Sequence, residues 1–336
     1  MLLLHCFFAE SASVIKSASA VGGKAQYYAS PLHGILIRDI RYKGIIFMNI
    51  EKEKHAIEIL KSFCPKEKGE NYYLCYSGGK DSDCIRILAQ LADVPHEIHY
   101  NLTTVDAPET MKYIKSIPNI IIDKAFFTDG TRKTMWNLIP RKLLPPTRLM
   151  RYCCQHLKEH GGKGRLKVTG VRWDESNARA ENTDVIKIVG KEKTTLKQLE
   201  AAGVDYIQTK QGGVKMSYDN ESVATKNNFV QQCYINRNVS VNPIVDWTEE
   251  DVWDFLHYYN CESNPLYQCG KTRIGCIGCP MQGAKKMRAD FEEYPKYKEN
   301  YIRAFERMLK IRNERELPNT YGWVNGEDVF KWWLSK

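Results

Sequence analysis

The sequence predicts an α/β protein with a doubly wound, mostly parallel sheet of the Rossmann type. From residue 70 onward, short apolar runs typical of buried strands alternate with segments whose apolar residues recur at helical spacing. This alternation is typical of a parallel sheet covered by helices. Hydrophobic residues make up 43% and charged residues 26% of the 336-residue chain, which is ordinary for a globular protein. A chain of this length can bury a large core.

The predicted elements follow one another in a regular order. The predicted strands are 71–76, 96–102, 119–122 and 166–171. The predicted helices are 81–92, about 107–117, and a long helical region that ends near 151–160. Ligands of such sheets bind beyond the C-terminal ends of the strands. The loops that we therefore expect to converge are 77–82, 103–109 and 170–179.

A helical region is predicted at the C-terminal end of the chain. Thr248 can cap a helix whose first turn is acidic and begins at Glu249. Val252 and Phe255 then belong to its buried stripe. A last helix is predicted near 294–315, and we expect its aromatic residues to lie in the core rather than on a base-stacking surface.

The domain organisation follows from shifts in composition. Residues 1–47 are rich in Ser and Ala and lack periodicity, and no basic segment of the signal-peptide kind opens them. We expect an N-terminal extension outside the fold, with Met48 as the true start and an amphipathic helix directly after it. Residues 48–246 should form the α/β domain, with a polar insertion at about 190–227. Residues 247–336 should form the helical region.

Charge and cysteine content restrict the class of protein. The net charge of +9 favours an anionic partner. No apolar run approaches the roughly 20 residues that a membrane helix needs, so we expect no membrane partner. The eleven cysteines are clustered, which indicates metal or redox sites before disulfides and predicts a cytoplasmic protein.

The most informative segment connects the first predicted strand to the first helix of the sheet. Its residues are Ser77, Gly78, Gly79, Lys80, Asp81 and Ser82. Glycines in such a turn let the backbone approach a ligand and aim several N–H groups at one point. The helix N-terminus adds partial positive charge, Lys80 adds a full charge, and the serine hydroxyls add donors. The segment predicts a phosphate site with a spacing different from that of the Walker loop.

Two further loops carry candidate ligands. Asp106 follows the second predicted strand, where its carboxylate could hold Mg²⁺ or contact a ribose or adenine. It could instead cap the helix that starts near Pro108. Arg172 and Arg179 follow the fourth predicted strand, and an arginine there suits bidentate recognition of phosphate or sulfate. The alternative is a surface ion pair between Arg172 and Glu175.

Four cysteines form a candidate metal site. Cys153 and Cys154 are adjacent, which makes a disulfide between them improbable on geometric grounds. Cys276 and Cys279 form a Cys-x-x-Cys turn, in which two thiolates can face one ion. Four sulfurs suit an iron–sulfur cluster or tetrahedral zinc, and a redox dithiol or plain buried thiols are the alternatives. Cys269 is a rival for the fourth position.

A basic stretch lies between Thr131 and Lys167. It holds ten Lys or Arg residues and one acidic residue, Glu159. Such a stretch can neutralise the phosphates of a cofactor or of a nucleic acid, whereas a solvated helix face is the ordinary alternative. It favours an anionic substrate, and a nucleic acid is one such substrate.

Together these motifs resemble those of the phosphoadenosine phosphosulfate (PAPS) reductase family, in the adenine-nucleotide alpha-hydrolase group of ATP pyrophosphatases. Residues 77–82 resemble that group's PP-loop, SGGxDS, and Asp106 opens a segment that resembles D-x-P-E. The segment from Gly170 looks like G-x-R-x-x-E-S, and the paired cysteines are similar to an iron–sulfur ligand set. The resemblance covers roughly residues 70–290.

The resemblance implies a nucleotide-dependent enzyme. It implies ATP, Mg²⁺ and a [4Fe–4S] cluster as cofactors, with zinc as the alternative to the cluster. The implied nucleotide-binding residues are Ser77, Gly78, Gly79, Lys80, Asp81, Ser82, Asp106, Arg172 and Arg179. The implied catalytic residues are Lys80, Asp81 and Arg172. The implied metal ligands are Cys153, Cys154, Cys276 and Cys279.

Four functions are compatible with this resemblance, of which the fourth, sulfate adenylylation, has no need of the paired cysteine motifs. The first is ATP-dependent adenylation coupled to sulfur transfer, with a sulfur-donor protein as a partner. The second is reduction of a sulfonucleotide by an unconventional thiol. Against the usual reductase route, this loop keeps Lys80 where reductases usually lack a lysine, and no cysteine follows Cys279. The third is a nucleotide-sensing or nucleic-acid-binding protein whose cysteines only brace the fold.

Overall fold

The computed structural model describes residues 28–29, 35–36, 49–67 and 69–335. The chain divides into two units, 1–47 and 48–336. In the first unit, β1 (Tyr28–Ala29) pairs with β2 (Ile35–Leu36) in antiparallel orientation. Apart from these four residues, the predicted N-terminal extension lies outside the described part of the chain, and a start at Met48 stays a prediction.

The second unit contains the sheet and its helices. Its strands are β3 (Tyr72–Cys75), β4 (His96–Asn101), β5 (Ile120–Asp123), β6 (Lys167–Val168), β7 (Ile186–Val189), β8 (Ile207–Gln208), β9 (Val214–Met216) and β10 (Asn238–Val241). Its α-helices are α1 (Ile50–Ser62), α2 (Lys80–Leu91), α3 (Pro108–Ser116), α4 (Met135–Lys142), α5 (Asn177–Asn182), α6 (Glu192–Ala202), α7 (Val223–Cys233), α8 (Glu249–Tyr258), α9 (Ala284–Glu293), α10 (Pro295–Glu314) and α11 (Gly326–Leu334). Short 3₁₀ turns span Trp173–Glu175, Pro265–Tyr267 and Pro280–Gln282, and a π-helical turn spans Cys154–Lys158.

The sheet has eight strands in the order β5-β4-β3-β6-β10-β7-β9-β8. The first five are mutually parallel, and the last three are antiparallel to their neighbours. The predicted α/β fold with a mostly parallel sheet and a helical C-terminal region is confirmed. The segment 190–227 contains α6, β8, β9 and part of α7, so it extends the sheet by two strands, of which β8 forms the edge. Weak periodicity in such short strands gave no signal for them.

The strand order reverses between β3 and β6. The chain runs from β3 through α2, β4 and α3 to β5 on one side, and then returns to place β6 on the other side of β3. Such a reversal leaves a crevice at the C-terminal ends of the two central strands, which is where open α/β sheets bind ligands. The loop after β3 and the loop after β6 border this crevice.

Two predictions about helices have different outcomes. The Thr248 cap is confirmed, because its hydroxyl accepts the Asp251 N–H at the start of α8. The prediction of a long helical region ending near 151–160 is wrong. Instead α4 ends at Lys142, and only a π-helical turn forms farther along. Pro145 and Pro146 lie between the two elements, and consecutive prolines exclude a continuous helix.

The buried side chains form two clusters. One lies between the sheet and the helices packed on it, α1, α2, α7 and α8 among them. The other joins α4 to the C-terminal helices α9, α10 and α11. Tyr301 and Phe305 of α10 are almost fully buried there, so the prediction that these aromatic residues belong to the core is confirmed. Within the described ranges, no helix combines the length and the apolar character needed to cross a bilayer.

Candidate functional site

The turn between β3 and α2, here called the glycine loop (residues 77–82), has a backbone that only glycine allows. Gly78 has φ +74°, a left-handed conformation that residues with a Cβ rarely adopt. A Cβ at this position would also lie 2.8 Å from Ile114 Cδ1. Because α2 begins at Lys80, its first N–H groups and its positive end face the crevice. The geometry expected of a phosphate-binding loop is therefore present.

A second segment holds the glycine loop from the C-terminal side. Asn264 is fully buried, and its amide donates to the Gly78 carbonyl and to Thr110 Oγ1, each at 3.1 Å. The Tyr267 hydroxyl accepts the Lys80 N–H at 3.0 Å. Neither residue was predicted from the sequence. The only local signal is the Asn264-Pro265 dipeptide, which marks a turn but not its partner.

The loop after β6 approaches the glycine loop at Gly170. A Cβ at position 170 would lie 2.7 Å from the Asp81 carbonyl oxygen and 2.9 Å from its carbon. These are backbone atoms of α2 and cannot rotate away. The absence of a side chain at Gly170 thus allows the two loops to meet, as the predicted convergence requires.

Arg172 is buried among carboxylates. Its side chain donates through Nε to Asp81 Oδ1 at 2.6 Å and through Nη2 to Glu249 Oε2 at 2.9 Å. Its Nη1 donates to the Trp247 carbonyl at 3.2 Å and to Asp174 Oδ2 at 3.3 Å. Only 1% of the residue is exposed. The alternative of a surface pair with a neighbouring glutamate is wrong, because this guanidinium points inward between the two loops.

The remaining predicted cations lie on either side of this cluster. Lys80 is 5% exposed, and its Nζ is 3.3 Å from Glu249 Oε1. Arg179 lies farther from the crevice on α5, where its guanidinium pairs with Glu175 at 3.2 Å. The structure therefore brings Lys80, Asp81 and Arg172 together, while Arg179 is engaged in a helical ion pair.

Asp106 lies below the crevice and is 8% exposed. Its carboxylate accepts the Thr103 N–H at 3.1 Å and the Thr103 hydroxyl at 2.7 Å, and burial raises its pKa. The alternative role as a helix cap is wrong, because the N-cap of α3 is Ala107 and Pro108 occupies the first helical position. Asp106 is thus a buried carboxylate held in place by the hydrogen bonds from Thr103.

The Cys-x-x-Cys turn docks on the same loop as Asp106. The Ile277 N–H donates to the Val105 carbonyl at 2.8 Å, and the Tyr301 hydroxyl donates to the Ile277 carbonyl at 3.2 Å. The Cys276 thiol lies 3.6 Å from Thr103 Oγ1. These contacts fix the turn at the C-terminal end of β4, one strand away from the glycine loop.

The paired cysteines have different environments. A hydrogen bond from Cys153, together with Arg151 at 3.7 Å, lowers the pKa of the Cys154 thiol to about 6. The same hydrogen bond and burial raise the pKa of Cys153, as do the nearby thiols of Cys276 and Cys279. The four predicted ligands therefore lie within electrostatic range of one another. The rival ligand Cys269 is exposed.

The described residues do not present a finished metal site. Among them, no three His, Cys, Asp or Glu side chains are grouped in a way that could hold a metal ion. The donor chemistry of four thiols suits iron–sulfur or zinc, but the side chains do not converge on one point. Whether a metal binds at these cysteines stays a prediction.

A small cavity of about 100 Å³ lies between the glycine loop and the Cys-x-x-Cys turn. Ser77 of the glycine loop and Cys276 of the Cys-x-x-Cys turn both line it, as do Asp106 and Lys158. Burial raises the pKa of Cys276 to about 12, and the Lys158 ammonium partly offsets this rise. In the sequence, Lys158 is recognisable only as one cation of the basic stretch. The cavity shows that it faces both predicted sites.

The basic stretch surrounds the paired cysteines on the outer side. An open pocket of about 430 Å³ is lined by Lys142, Arg151, Cys154 and others. The Lys142 and Lys133 ammonium groups add to burial in lowering the pKa of His156. Cationic side chains thus cluster at this surface, as the composition of the stretch predicted.

The glycine loop lies where the strand order reverses, and both a helix N-terminus and Lys80 belong to it. These features define an α/β protein of the nucleotide-binding class. Residues 71–282 match the family model of the phosphoadenosine phosphosulfate reductase domain. This match covers more than half of the chain, so the chain belongs to that family, and the resemblance inferred from its motifs is confirmed.

Curated relatives include uncharacterized proteins and short matches to reductases. An uncharacterized protein of Methanocaldococcus jannaschii is 24% identical over 277 residues, covering 78% of this chain and 53% of the relative. An uncharacterized 37.8 kDa protein of Escherichia phage 186 is 26% identical, covering 65% of this chain and 70% of that protein. Adenosine 5'-phosphosulfate reductase of Anoxybacillus flavithermus is 42% identical over 43 residues, 13% of this chain and 18% of the reductase. The chain spans about half the length of the two Methanocaldococcus relatives it matches.

Solved structures of FMN adenylyltransferase from Candida glabrata are also similar. One aligns with a TM-score of 0.37 and 15% identity, covering 68% of this chain and 63% of that chain. Another, determined with FMN and an ATP analogue, also aligns with a TM-score of 0.37 and 15% identity.

Proposed function

We propose that this chain is an enzyme of the ATP pyrophosphatase type, which binds ATP at the glycine loop and adenylates an anionic substrate. One observation carries the proposal. The loop keeps Lys80, buried at the positive end of α2, at the point where the sheet offers a ligand crevice. A loop built in this way suits a polyphosphate better than a neutral ligand.

The chain's own residues support each part of that reaction. A substrate oxygen would attack the α-phosphorus of ATP, and the bond to pyrophosphate would break. The loop N–H groups and Lys80 would bind the departing pyrophosphate as its charge develops. Mg²⁺ carried by the nucleotide would neutralise part of that charge. Asp106 would form the pocket floor beside the nucleoside, and Asp81 would orient Arg172.

We extend the proposal to the four cysteines as ligands of a [4Fe–4S] cluster, with zinc as the alternative. What supports this is the donor set of four thiols and its place beside the small cavity that reaches Ser77. Cys153, Cys154, Cys276 and Cys279 would hold the cluster, which would supply a binding site for sulfide from the donor protein. The sulfide would attack the adenylated substrate, so that the bond to AMP breaks as the bond to sulfur forms and AMP leaves. A sulfur-donor protein, and a nucleic acid as the acceptor on the basic surface, are the partners that fit this proposal.

Reduction of a sulfonucleotide is the second candidate. Short segments of adenosine 5'-phosphosulfate reductases that are 30% to 47% identical to this chain favour it. Both candidates use the same crevice but differ in the preferred nucleotide. Reduction requires tight binding of a phosphosulfate, whereas adenylation requires ATP.

Nucleotide preference and pyrophosphate exchange test the proposal. We expect the full chain to bind ATP more tightly than adenosine 5'-phosphosulfate and to exchange labelled pyrophosphate into ATP when a substrate is present. Replacing Lys80 with Met should weaken ATP binding by about tenfold or more, because a charge-assisted contact is lost. Lys210→Met, which removes an exposed lysine paired with Glu181, should leave binding unchanged.

Three outcomes decide between the candidates. Tighter binding of the phosphosulfate would favour reduction. ATP binding without any turnover would favour a nucleotide-sensing role. Equal loss of binding in the Lys80 and Lys210 variants would contradict the assignment of the glycine loop as the nucleotide site.

A further inference from the structure

Glu249 bridges Lys80, which the proposed function assigns to pyrophosphate, and Arg172, which the family resemblance implies as a nucleotide-binding residue. Its Oε1 is 3.3 Å from Lys80 Nζ, and its Oε2 is 2.9 Å from Arg172 Nη2. A carboxylate with one oxygen on each of two cations matches the way in which two oxygens of one phosphate group would be held. The protein therefore supplies an anion of its own at the mouth of the glycine loop.

The other carboxylate partners of Arg172 differ from Glu249 in the exposed fraction of their side chains. The side chain of Asp81 is 24% exposed and belongs to the glycine loop itself. Asp174 is 47% exposed, and its carboxylate also accepts the Glu249 N–H at 2.9 Å. The Glu249 side chain is 52% exposed, the most of the three, whereas the Lys80 side chain is only 6% exposed. Of the groups that bind these cations, the Glu249 carboxylate is thus the one with most room to rotate into solvent.

The position of Glu249 in its helix allows such a rotation without unfolding α8. It is the first residue of the helix, and the capping box is formed by its neighbours Thr248 and Asp251. Apart from the two ion pairs, the Glu249 carboxylate accepts one side-chain hydrogen bond from the described residues, from Trp253 Nε1 at 3.2 Å. Releasing the carboxylate leaves the helix cap intact.

We infer that Glu249 is an internal competitor for the phosphate position and so lowers the affinity of the glycine loop for every anion that uses both cations. This inference rests on the proposed function, since it assumes that the loop binds a nucleotide. A ligand must displace the carboxylate from Lys80 and Arg172 before it can use both cations. Only the fraction of molecules with the carboxylate released can bind, which lowers the apparent affinity for every anion.

The competition leaves polyphosphates as the anions that still bind with useful affinity. A monophosphate replaces one carboxylate by one group of similar size and gains little. A pyrophosphate or triphosphate brings further oxygens to the loop N–H groups, so it can offset the loss of the two ion pairs. Nucleoside triphosphates and pyrophosphate are therefore the ligand class that can still bind against the Glu249 carboxylate.

Calorimetric titration of the full chain with pyrophosphate, AMP and Mg-ATP tests this inference. The variants are Glu249→Gln, which keeps the shape and removes the charge, and Glu249→Asp, which keeps the charge and shortens the reach. Glu192→Gln is the matched control, because Glu192 is also the first residue of its helix and accepts a side-chain hydrogen bond, from Gln208. It removes the same charge from a helix N-terminus away from the loop.

We expect Glu249→Gln to strengthen AMP binding by about tenfold, because an opposing charge a few Å away is removed. Binding of pyrophosphate and of Mg-ATP should strengthen by a similar factor, because each of them must displace the same carboxylate. Glu249→Asp should act in the same direction, and Glu192→Gln should change nothing. Unchanged binding in both Glu249 variants would overturn the inference while leaving the proposed function intact.

Two other outcomes are also decisive. Weaker Mg-ATP binding in Glu249→Gln, with pyrophosphate alone unaffected, would mean that Glu249 holds the metal of the nucleotide, which overturns the competition. If the wild type and all variants bind none of the three ligands, the proposed function fails and the inference falls with it.

Discussion

The glycine loop and the group of four cysteines meet at the same end of the sheet, but they are built in different ways. The loop is shaped by backbone atoms, and two separate segments hold it, one through Gly170 and the other through Asn264 and Tyr267. The cysteines are side chains on two segments far apart in the chain. Within the described part of the protein they do not converge on a point that could hold a metal.

The two sites are therefore completed in different ways. A backbone site is finished when the fold is finished, because its N–H directions follow from the strand, the turn and the helix. A site made of thiols needs several side chains to choose one rotamer each, and a bound metal supplies the energy for that choice. We therefore expect the loop to exist without a ligand and the cysteine site to be completed by its ligand.

The largest effect that we expect concerns the metal of the cysteine group. Protein purified without oxygen should contain about four iron and four acid-labile sulfide per chain, as a [4Fe–4S] cluster requires. Replacing Cys276 with Ser should abolish this content, because its thiol is buried beside the loop that carries Asp106. The measurements are metal and sulfide analysis with the visible absorption spectrum.

Matched cysteine variants sharpen this test. Cys64→Ser should keep the metal, since Cys64 lies in neither predicted ligand pair. Loss of metal in Cys269→Ser but not in Cys154→Ser would make Cys269 the fourth ligand. Zinc in place of iron would identify the alternative metal, and wild-type protein without any metal would contradict the ligand assignment while leaving the glycine loop untouched.

The next effect concerns the glycine loop. Gly170→Ala places a Cβ against the backbone of Asp81, so the loops after β3 and β6 must separate. We expect a loss of about 3 kcal/mol in the free energy of unfolding from overpacking. Nucleotide binding should fall by about a hundredfold, because the phosphate donors are displaced. Denaturant unfolding and calorimetric titration measure the two effects.

A second glycine serves as the control for added volume. At Gly275 an added Cβ would meet no described atom within 4 Å. Gly275→Ala should change the free energy of unfolding by less than about 1 kcal/mol. Equal destabilisation by the two variants would mean that the close approach at Gly170 has no special role.

Much of the glycine loop could be predicted from the sequence because its determinants are contiguous. The strand, the two glycines and the amphipathic helix lie within twenty residues, and each has a local signal. The same holds for the Thr248 cap, where a single hydroxyl precedes an acidic turn. Local chemistry sufficed wherever the contact partner was a few residues away.

The rest depended on tertiary contacts. Asn264 and Tyr267 contact the glycine loop from more than 180 positions away in the chain, so nothing near them reveals the target. Glu249 was predicted only as part of an acidic helix start, and its bridge between two cations depends on the fold. The strand β9, which lies next to the sheet edge, is three residues long, too short for alternation to distinguish it from a polar loop.

The smallest effect concerns a carboxylate buried beneath the glycine loop. Asp83 is fully buried in the first turn of α2, and its Oδ1 accepts the Tyr76 hydroxyl at 2.5 Å and the Tyr113 hydroxyl at 2.9 Å. Among the described residues, its Oδ2 has no hydrogen-bond partner. Burial therefore raises the pKa of Asp83 to about 6, although the two hydroxyls and Arg86 oppose the rise.

A raised pKa means that the folded protein binds this proton more tightly than the unfolded chain does. The stabilisation from the protonated form is complete below pH of about 4 and is lost as the pH rises through about 6. The loss should be on the order of 2 kcal/mol in the free energy of unfolding.

Asp83→Asn should flatten this slope. Asp129→Asn should keep the slope. The pKa of exposed Asp129 is lowered to about 2, chiefly by the Thr131 N–H, so this carboxyl titrates in a lower pH range. Unfolding free energies from pH 4 to pH 7 measure the slopes, and an unchanged slope in Asp83→Asn would show that the glycine loop rests on a carboxylate that stays ionised.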